Sequence, residues 1–367
     1  MSKNTYLYYS GATDKTGMEL VKALGITGGI EMPDKTKTIV IGWGAKTAKS
    51  VDLGKAQVYN HPNSIRVNRN KMESMALMME NKVAVAPFVD AEKVATELAK
   101  AKPSITLPLI GRTTFHQGGN EFFTCLTKTH VLETVKTLKN LKKSGYFQNY
   151  IDVKEEYRLH IFNGVLIVAA KKVPRDNLEA AYVEQQKEKI DAMAAKKGVK
   201  LDKATMEFAL GYQANKISGP DQIIKSNTRG YKFAHVDAKN VNAALIAEAQ
   251  KAVKALGLCF GAVDCVLDAN GKAWVLEVNT GPGLEGTTFD AYVAAFKKLL
   301  ASAENMEKAV KEAVKQPAPA WEAPKITKLG GKASSQAERL RTLADLIEVA
   351  DDKQADIINE LAKKLFN

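Results

Sequence analysis

Cysteine is scarce in this chain, and the way its few copies are placed excludes two classes of protein. Cys125, Cys259 and Cys265 are odd in number, sit inside apolar runs and lack CxxC spacing. They read as reduced core thiols and not as a disulfide framework or a zinc site. Long hydrophobic runs are missing too. No stretch of about 18 apolar residues occurs, and the start has no basic-then-apolar leader, so the expectation is a cytoplasmic chain with no membrane partner. Proline is sparse, at 11 in 367 residues, while 45% of residues are hydrophobic and 26% charged. That is an ordinary globular composition, long enough for about two domains. The net charge is +12; from Ala333 onward seven acids and five bases make the tail −2, which leaves +14 on the body. No arginine-rich stretch interleaved with aromatics accompanies that excess, so a polyphosphate ligand, an acidic macromolecule and plain solubility all remain open.

The pattern along the chain is mixed. "TYLYYS", a helix "DKTGMELVKALG" closed by Gly25, and "KTIVIGWG" predict a small α/β unit. A Met-rich helix is predicted from about Asn68, with its methionines as core filling, then a strand "VAVAPFV" and a helix "DAEKVATELAKAK". Strands return from Ile105, a basic helix follows near "VLETVKTLKNLKK", and Asn163-Gly164 joins two alternating runs as a hairpin. Residues 175–226 are polar and lysine-rich and read as an insertion. An Ala-rich helix, Asn240 to Leu256, leads through Gly257 into a second hairpin, and helices follow from Phe289. Prolines and glycines mark a linker at 316–334. Ser335 with Glu338 then opens two helices with one apolar face each, an αα-hairpin over 335–367.

The second hairpin, "FGAVDCVLDANGKAWVLEVNTGPGLEG", places an acid in the middle of each strand. Centred on Asn270-Gly271, it sets Asp264 directly opposite Glu277, with Asn279 on the same face. Opposed carboxylates have β-carbons about 4.5–5.5 Å apart and repel unless one is protonated or a cation lies between them. Carboxylate and amide oxygens suit Mg²⁺ or Mn²⁺. The alternative is a solvated strand face, since Val263, Cys265 and Leu267 already supply a core face. The Gly-rich "NTGPGLEGT" that follows suits close approach by an anionic ligand and favours the metal clamp.

These residues resemble the ATP-grasp superfamily, whose nucleotide site ends in a pattern matched here by Gly261, Asp264, Gly271, Leu276-Glu277-Val278-Asn279 and Pro282-Gly283. The resemblance spans about residues 60 to 300. It implies an α/β (α+β) architecture: an N-terminal α/β pre-ATP-grasp domain, 1–67, and two ATP-grasp subdomains, 68–146 and 147–315, the second carrying the insertion. Beyond them lie the linker and the helical hairpin tail. By the same resemblance Lys71 and Arg112 would bind phosphate, and His116 to Asn120, with Gly118 and Gly119, would form a flap. Gln148, Asn149, Tyr150 and Ile151 would receive adenine, and Glu155 or Glu156 the ribose. Arg158, Asn227 and Arg229 resemble residues of glutamate ligases of the RimK type, with the two arginines in catalytic roles. Asp264, Glu277 and Asn279 would hold the metal. "GWGAKT" at Gly42 lacks the order of a P-loop, and His61, His116, His130, His160 and His235 show no metal-ligand spacing.

The implied activity is an ATP-dependent carboxylate-amine ligase working through an acylphosphate, with ATP and Mg²⁺ or Mn²⁺ as cofactors. Its partners would be a carboxylate substrate and an amine acceptor, such as an amino acid and a peptide or protein end. An ATP-grasp kinase and a non-catalytic ATP-binding or nucleic-acid-binding protein are the competing readings. The apolar faces of the tail predict self-association or a protein partner. A chain ending at Gln316 is therefore expected to lose mass in light scattering or to lose partner capture; if both stay unchanged, the tail has no docking role.

Overall fold

The computed structural model describes residues 4–33, 36–45, 47, 51–115, 122–174, 191, 195 and 231–315, with side chains up to residue 302. The chain divides after Ala303, and the elements below belong to the first unit apart from the end of the last helix. Strand β1 (Thr5–Tyr9) leads to α1 (Lys15–Leu24). Asp14 caps this helix by accepting the Gly17 amide at 2.9 Å, and Gly25, at φ 62°, closes it. With β3 (Ile39–Trp43) and two short strands that no hydrophobic run announces, β2 (Thr27–Gly29) and β4 (Gln57–Tyr59), β1 forms a parallel sheet ordered β2-β1-β3-β4.

The Met-rich stretch forms two helices instead of the single one predicted: α2 (Pro62–Arg69) and α3 (Lys71–Glu80). Asn70 makes the break. Its ψ of 106° leaves the helix, and its Oδ1 accepts the amides of Met72 and Glu73 while its Nδ2 donates to Glu73. Met75 and Met78 fill the core as expected, whereas Met79 is exposed. Two other expectations shrink. Of "VAVAPFV", only the end enters strand β5 (Phe88–Asp90), and of "DAEKVATELAKAK" only α4 (Val94–Leu98) is helical, with no side-chain cap at its start.

Strands β6 (Leu109–Thr113), β7 (Phe122–Cys125) and β8 (Gly145–Asn149) join β5 in an antiparallel sheet ordered β5-β8-β6-β7. The basic helix α5 (Lys128–Asn140) backs it through Val131 and Leu138, which share a core with Leu109, Cys125 and Phe147. The third sheet, ordered β11-β10-β9-β12-β13, is antiparallel throughout. It contains β9 (Val153–Phe162), β10 (Val165–Pro174), β11 (Tyr231–Val236), β12 (Phe260–Asp268) and β13 (Ala273–Asn279). The β9–β10 turn has φ 46° at Asn163 and 74° at Gly164, the pair of positive values that a tight hairpin turn requires.

The two faces of this third sheet do different things. One packs Leu159, Ile161, Val263, Cys265 and Val278 against α6 (Ala243–Ala255) and the buried methionines. The other is apolar at one end, where Phe162 and Phe260 stack at 5.5 Å beside Trp43 and the helix α7 (Gly286–Lys315), which supplies Tyr292 and Phe296. Each aromatic buried this way stabilises by roughly 1.5–3 kcal/mol. The other end of that face is charged. Two buried asparagines, invisible as such in the sequence, clamp the β12–β13 hairpin. Asn60 accepts the amides of Cys259 and Phe260 and donates to the Phe260 carbonyl, and Asn68 donates to the Val278 carbonyl at 2.8 Å. Among the described residues, no helix is long and apolar enough to cross a membrane.

His160 lies at the boundary between the apolar and charged ends, its Nδ1 3.2 Å from the Tyr292 hydroxyl. Burial, reinforced by Arg158 and His235, pushes its pKa down to about 3. Below about pH 6.5 the unfolded chain protonates this histidine and the native one does not. Stability should therefore fall as pH drops from about 6.5 toward 3, with His160 contributing up to about 1.4 kcal/mol per pH unit. His160→Gln is expected to flatten the decline of the melting temperature between pH 6.5 and 4; an unchanged slope would contradict this.

Candidate active site

The hairpin register is the one the sequence predicts where it matters: Asp264 pairs with Glu277, Val263 with Val278 and Ala262 with Asn279. It then shifts by one residue beyond Asp264, because Leu276 is a bulge. The turn accordingly differs from a two-residue Asn-Gly turn. The Gly271 amide donates to the Asp268 carbonyl and the Asp268 amide to that of Lys272, with positive φ at Gly271 alone, a three-residue loop.

Asp264 is 7% exposed and is met by Arg158 from the neighbouring strand β9, directly opposite in register. The guanidinium engages it side-on, Nε to Oδ1 at 2.7 Å and Nη2 to Oδ2 at 2.8 Å. Lys71, the first residue of α3, reaches Glu277 Oε2 at 3.0 Å. Asn279 Nδ2 spans the two acids, 3.5 Å from Asp264 Oδ2 and 3.3 Å from Glu277 Oε1. The three residues assigned to a metal therefore converge, and two cations hold the acids side by side. Burial alone would lower the Arg158 pKa; Asp264, then Glu277 and Glu156, outweigh it and carry the guanidinium above its ordinary value.

Arg112 enters from the second sheet. It lies on one face with Tyr146 and Gln148, and Tyr146 packs into the same core as α3 and the third sheet. Its Nε is buried with no hydrogen-bond partner among the described residues, and its guanidinium lies 5.4 Å from the Phe122 ring centroid. Desolvation lowers its pKa, with Tyr146 and Glu277 opposing. Burial pushes the Tyr146 hydroxyl up to about 12.

The two ribose candidates part company. Glu156 shares the Asp264 face and pairs with Lys172, whereas Glu155 points to the other side with Tyr157 and Leu159. There it accepts from Lys171 at 2.8 Å and from the Tyr157 hydroxyl at 2.7 Å. Hydrogen bonds from these two partners, Lys171 first, hold Glu155 below the usual carboxylate range. In the hinge expected to receive adenine, Gln148 to Ile151, the amides of Asn149 and Tyr150 donate to the carbonyls of Pro87 and Pro108, and the Asn149 side chain is tied to Thr106. Gln148 lies within β8 on the Arg112 face. The Gly-rich loop after Asn279 makes its close approach to protein. A β-carbon on Gly281 would come within 2.9 Å of the Gly44 backbone, and the Gly44 amide donates to Thr280.

His116 to Asn120, Asn227, Arg229 and residues 316–367 lie outside the described residues, as does 175–226 apart from Asp191 and Ala195. Two residues at the site, Lys172 and Phe233, escaped sequence reasoning. Phe233 of β11 lies under both Arg158 and Lys172, at 4.4 and 5.1 Å. The signal was parity: Ala170 pairs with Arg158 and Lys172 with Phe233, so these side chains share a face, and the small Ala170 leaves room for the contact.

Solved structures share this fold. D-alanine–D-alanine ligase from Bacillus anthracis aligns with a TM-score of 0.52 at 14% identity, covering 84% of this chain and 99% of that one. N5-carboxyaminoimidazole synthetase from Staphylococcus aureus, solved with ADP, aligns with a TM-score of 0.52 at 13% identity, covering 80% and 76%. The chain has the ATP-grasp fold, as its hairpin motif implied. No protein-family model and no curated protein sequence matches it.

Removing Arg158 strands Asp264 as an unpaired, nearly buried charge. Arg158→Met is expected to cost about 2–5 kcal/mol in urea unfolding, and adding Asp264→Asn to restore part of it. Additive losses in the double-mutant cycle would mean the pair is not coupled.

Proposed function

We propose that this chain is an ATP-dependent carboxylate-amine ligase. The observation that carries the reading is the opposed pair Asp264 and Glu277, bridged by Asn279 and ringed by Lys71, Arg112 and Arg158. Two carboxylates and an amide fit a hard divalent cation. Once turned, the Asn279 amide offers an oxygen to the same point. Mg²⁺ or Mn²⁺ would supply charge neutralisation at phosphate oxygens there.

The protein's own groups supply the rest. Lys71 and Arg112 bind the phosphate chain; the unpartnered Nε of Arg112 is a buried donor suited to such an acceptor. Arg158 stabilises charge at the transferring phosphoryl group. Glu156, on the Asp264 face, is the candidate for the ribose hydroxyls. The amides of Asn149 and Tyr150 being engaged, adenine recognition falls to Ile151 and the hinge carbonyls. Gly118, Gly119, Asn227 and Arg229 complete the proposed site from outside the described residues. The first sheet and α1 would form the pre-ATP-grasp unit, and the second and third sheets the two jaws on the nucleotide.

The reaction follows from this arrangement. A substrate carboxylate oxygen bonds to the γ-phosphorus of ATP as the bond to the β-phosphate oxygen breaks, and ADP leaves. An amine nitrogen then bonds to the carbonyl carbon of the acylphosphate, phosphate departs with the electron pair, and the amine loses its proton. Shielding from water keeps the acylphosphate from hydrolysing. An amino acid and a peptide or protein end are the proposed substrates, and the basic body suits an acidic acceptor.

The test pools amino acids and peptides with ATP, Mg²⁺ and hydroxylamine as the amine. Substrate-dependent hydroxamate with matching ADP is expected, reduced at least about a hundredfold by Asp264→Asn or Glu277→Gln. A phosphorylated product without hydroxamate would replace the ligase reading with a kinase.

A further inference from the structure

Each of the four carboxylate oxygens at the candidate metal site already has a donor. Arg158 takes both oxygens of Asp264, Lys71 takes Oε2 of Glu277, and Asn279 faces Oε1. Arg158 is further steadied by the Phe233 ring on its other flank. Lys71 is fixed as the first residue of α3, its amide donating to the Thr114 carbonyl and its side chain 16% exposed.

Charge decides what such a site admits. Two acids against Arg158 and Lys71 balance, and Arg112 adds a third cation close enough to feel Glu277. A bare divalent cation would arrive among three positive groups and would have to displace Arg158 from both oxygens of Asp264 and Lys71 from Glu277. A polyphosphate changes both conditions, because its oxygens accept the lysine and the guanidinia while its charge offsets that of the metal.

We infer that Lys71 and Arg158 close the Asp264–Glu277 pair to a free divalent cation, so that the site accepts metal only together with a polyphosphate, onto which these two cations transfer. The inference rests on the ligase reading for its metal site and deepens it. It makes Lys71 and Arg158 the residues that couple metal to nucleotide: each ligand raises the affinity for the other by the same factor.

The experiment is Mn²⁺ binding to the full-length protein, with free Mn²⁺ read by electron paramagnetic resonance and the ternary complex by water-proton relaxation. Wild-type protein is expected to bind Mn²⁺ alone at least about tenfold more weakly than in the presence of a non-hydrolysable ATP analogue. Lys71→Met is expected to strengthen binding of Mn²⁺ alone about tenfold and to shrink the effect of the analogue by a similar factor. Arg158→Gln carries the same expectation, and Lys71→Met decides the matter if the arginine variant does not fold. Equal binding with and without the analogue, both lost in Asp264→Asn, overturns the inference and leaves the ligase reading standing. So does Mn²⁺ binding that Lys71→Met leaves unchanged. Analogue-dependent Mn²⁺ binding that is indifferent to Asp264→Asn removes the metal site itself, and the inference with it.

Discussion

Two carboxylates face each other across adjacent strands, and most of the surrounding structure answers that constraint. Asp264 and Glu277 cannot both stay ionised at neighbouring positions of a largely buried sheet unless positive charge is brought to them. The fold brings it from separate parts of the chain: Arg158 from the adjoining strand, Lys71 from the start of a helix and Arg112 from another sheet. The break at Asn70 has a purpose in this light. Ending one helix and starting the next there puts Lys71 at the first turn, where its side chain can reach over the β13 edge to Glu277.

The same sheet face also shows how a polar site is kept beside an apolar core. Ala262, His160 and Tyr292 separate the aromatic stack of Trp43, Phe162, Phe260 and Phe296 from the charged end. His160 stays neutral because it is buried, and its hydrogen bond to Tyr292 satisfies polar atoms that have no access to water. The transition from grease to charge therefore takes place within one residue pair along β9, from His160 to Arg158.

Much of this was legible in the sequence. Alternation placed the acids, and the pairing arithmetic around Asn270-Gly271 found their register because the three-residue loop and the bulge at Leu276 each shift it by one residue in opposite senses. The order of weak motifs found the fold. What stayed hidden depended on tertiary contact. Val83–Pro87 looks like a strand, yet the segment contributes one carbonyl, that of Ala84, to the β13 edge at Val275 and is held by Glu248. Glu155 and Glu156 are equivalent by composition and separated only by which face each occupies. Asn60 and Asn68 look like surface residues until their partners, some 200 positions away, are known. Gly281 suggested a ligand and instead meets Gly44.

Those last contacts also divide the molecule mechanically. The β12–β13 hairpin is fixed to the first sheet at Asn60, at the Gly44–Gly281 contact and through the stack around Trp43. The second sheet, by contrast, has its own core with α4 and α5. Among the described residues, its links to the rest include Tyr146 and Phe88, the Thr114 carbonyl at Lys71, and the strap that Pro87 makes with Asn149. The hairpin that carries Asp264 and Glu277 is thus continuous with the first sheet. Arg112 and Glu277 thus come to the candidate site from parts of the fold with separate cores, so their spacing is set by the packing between two cores and not within either one.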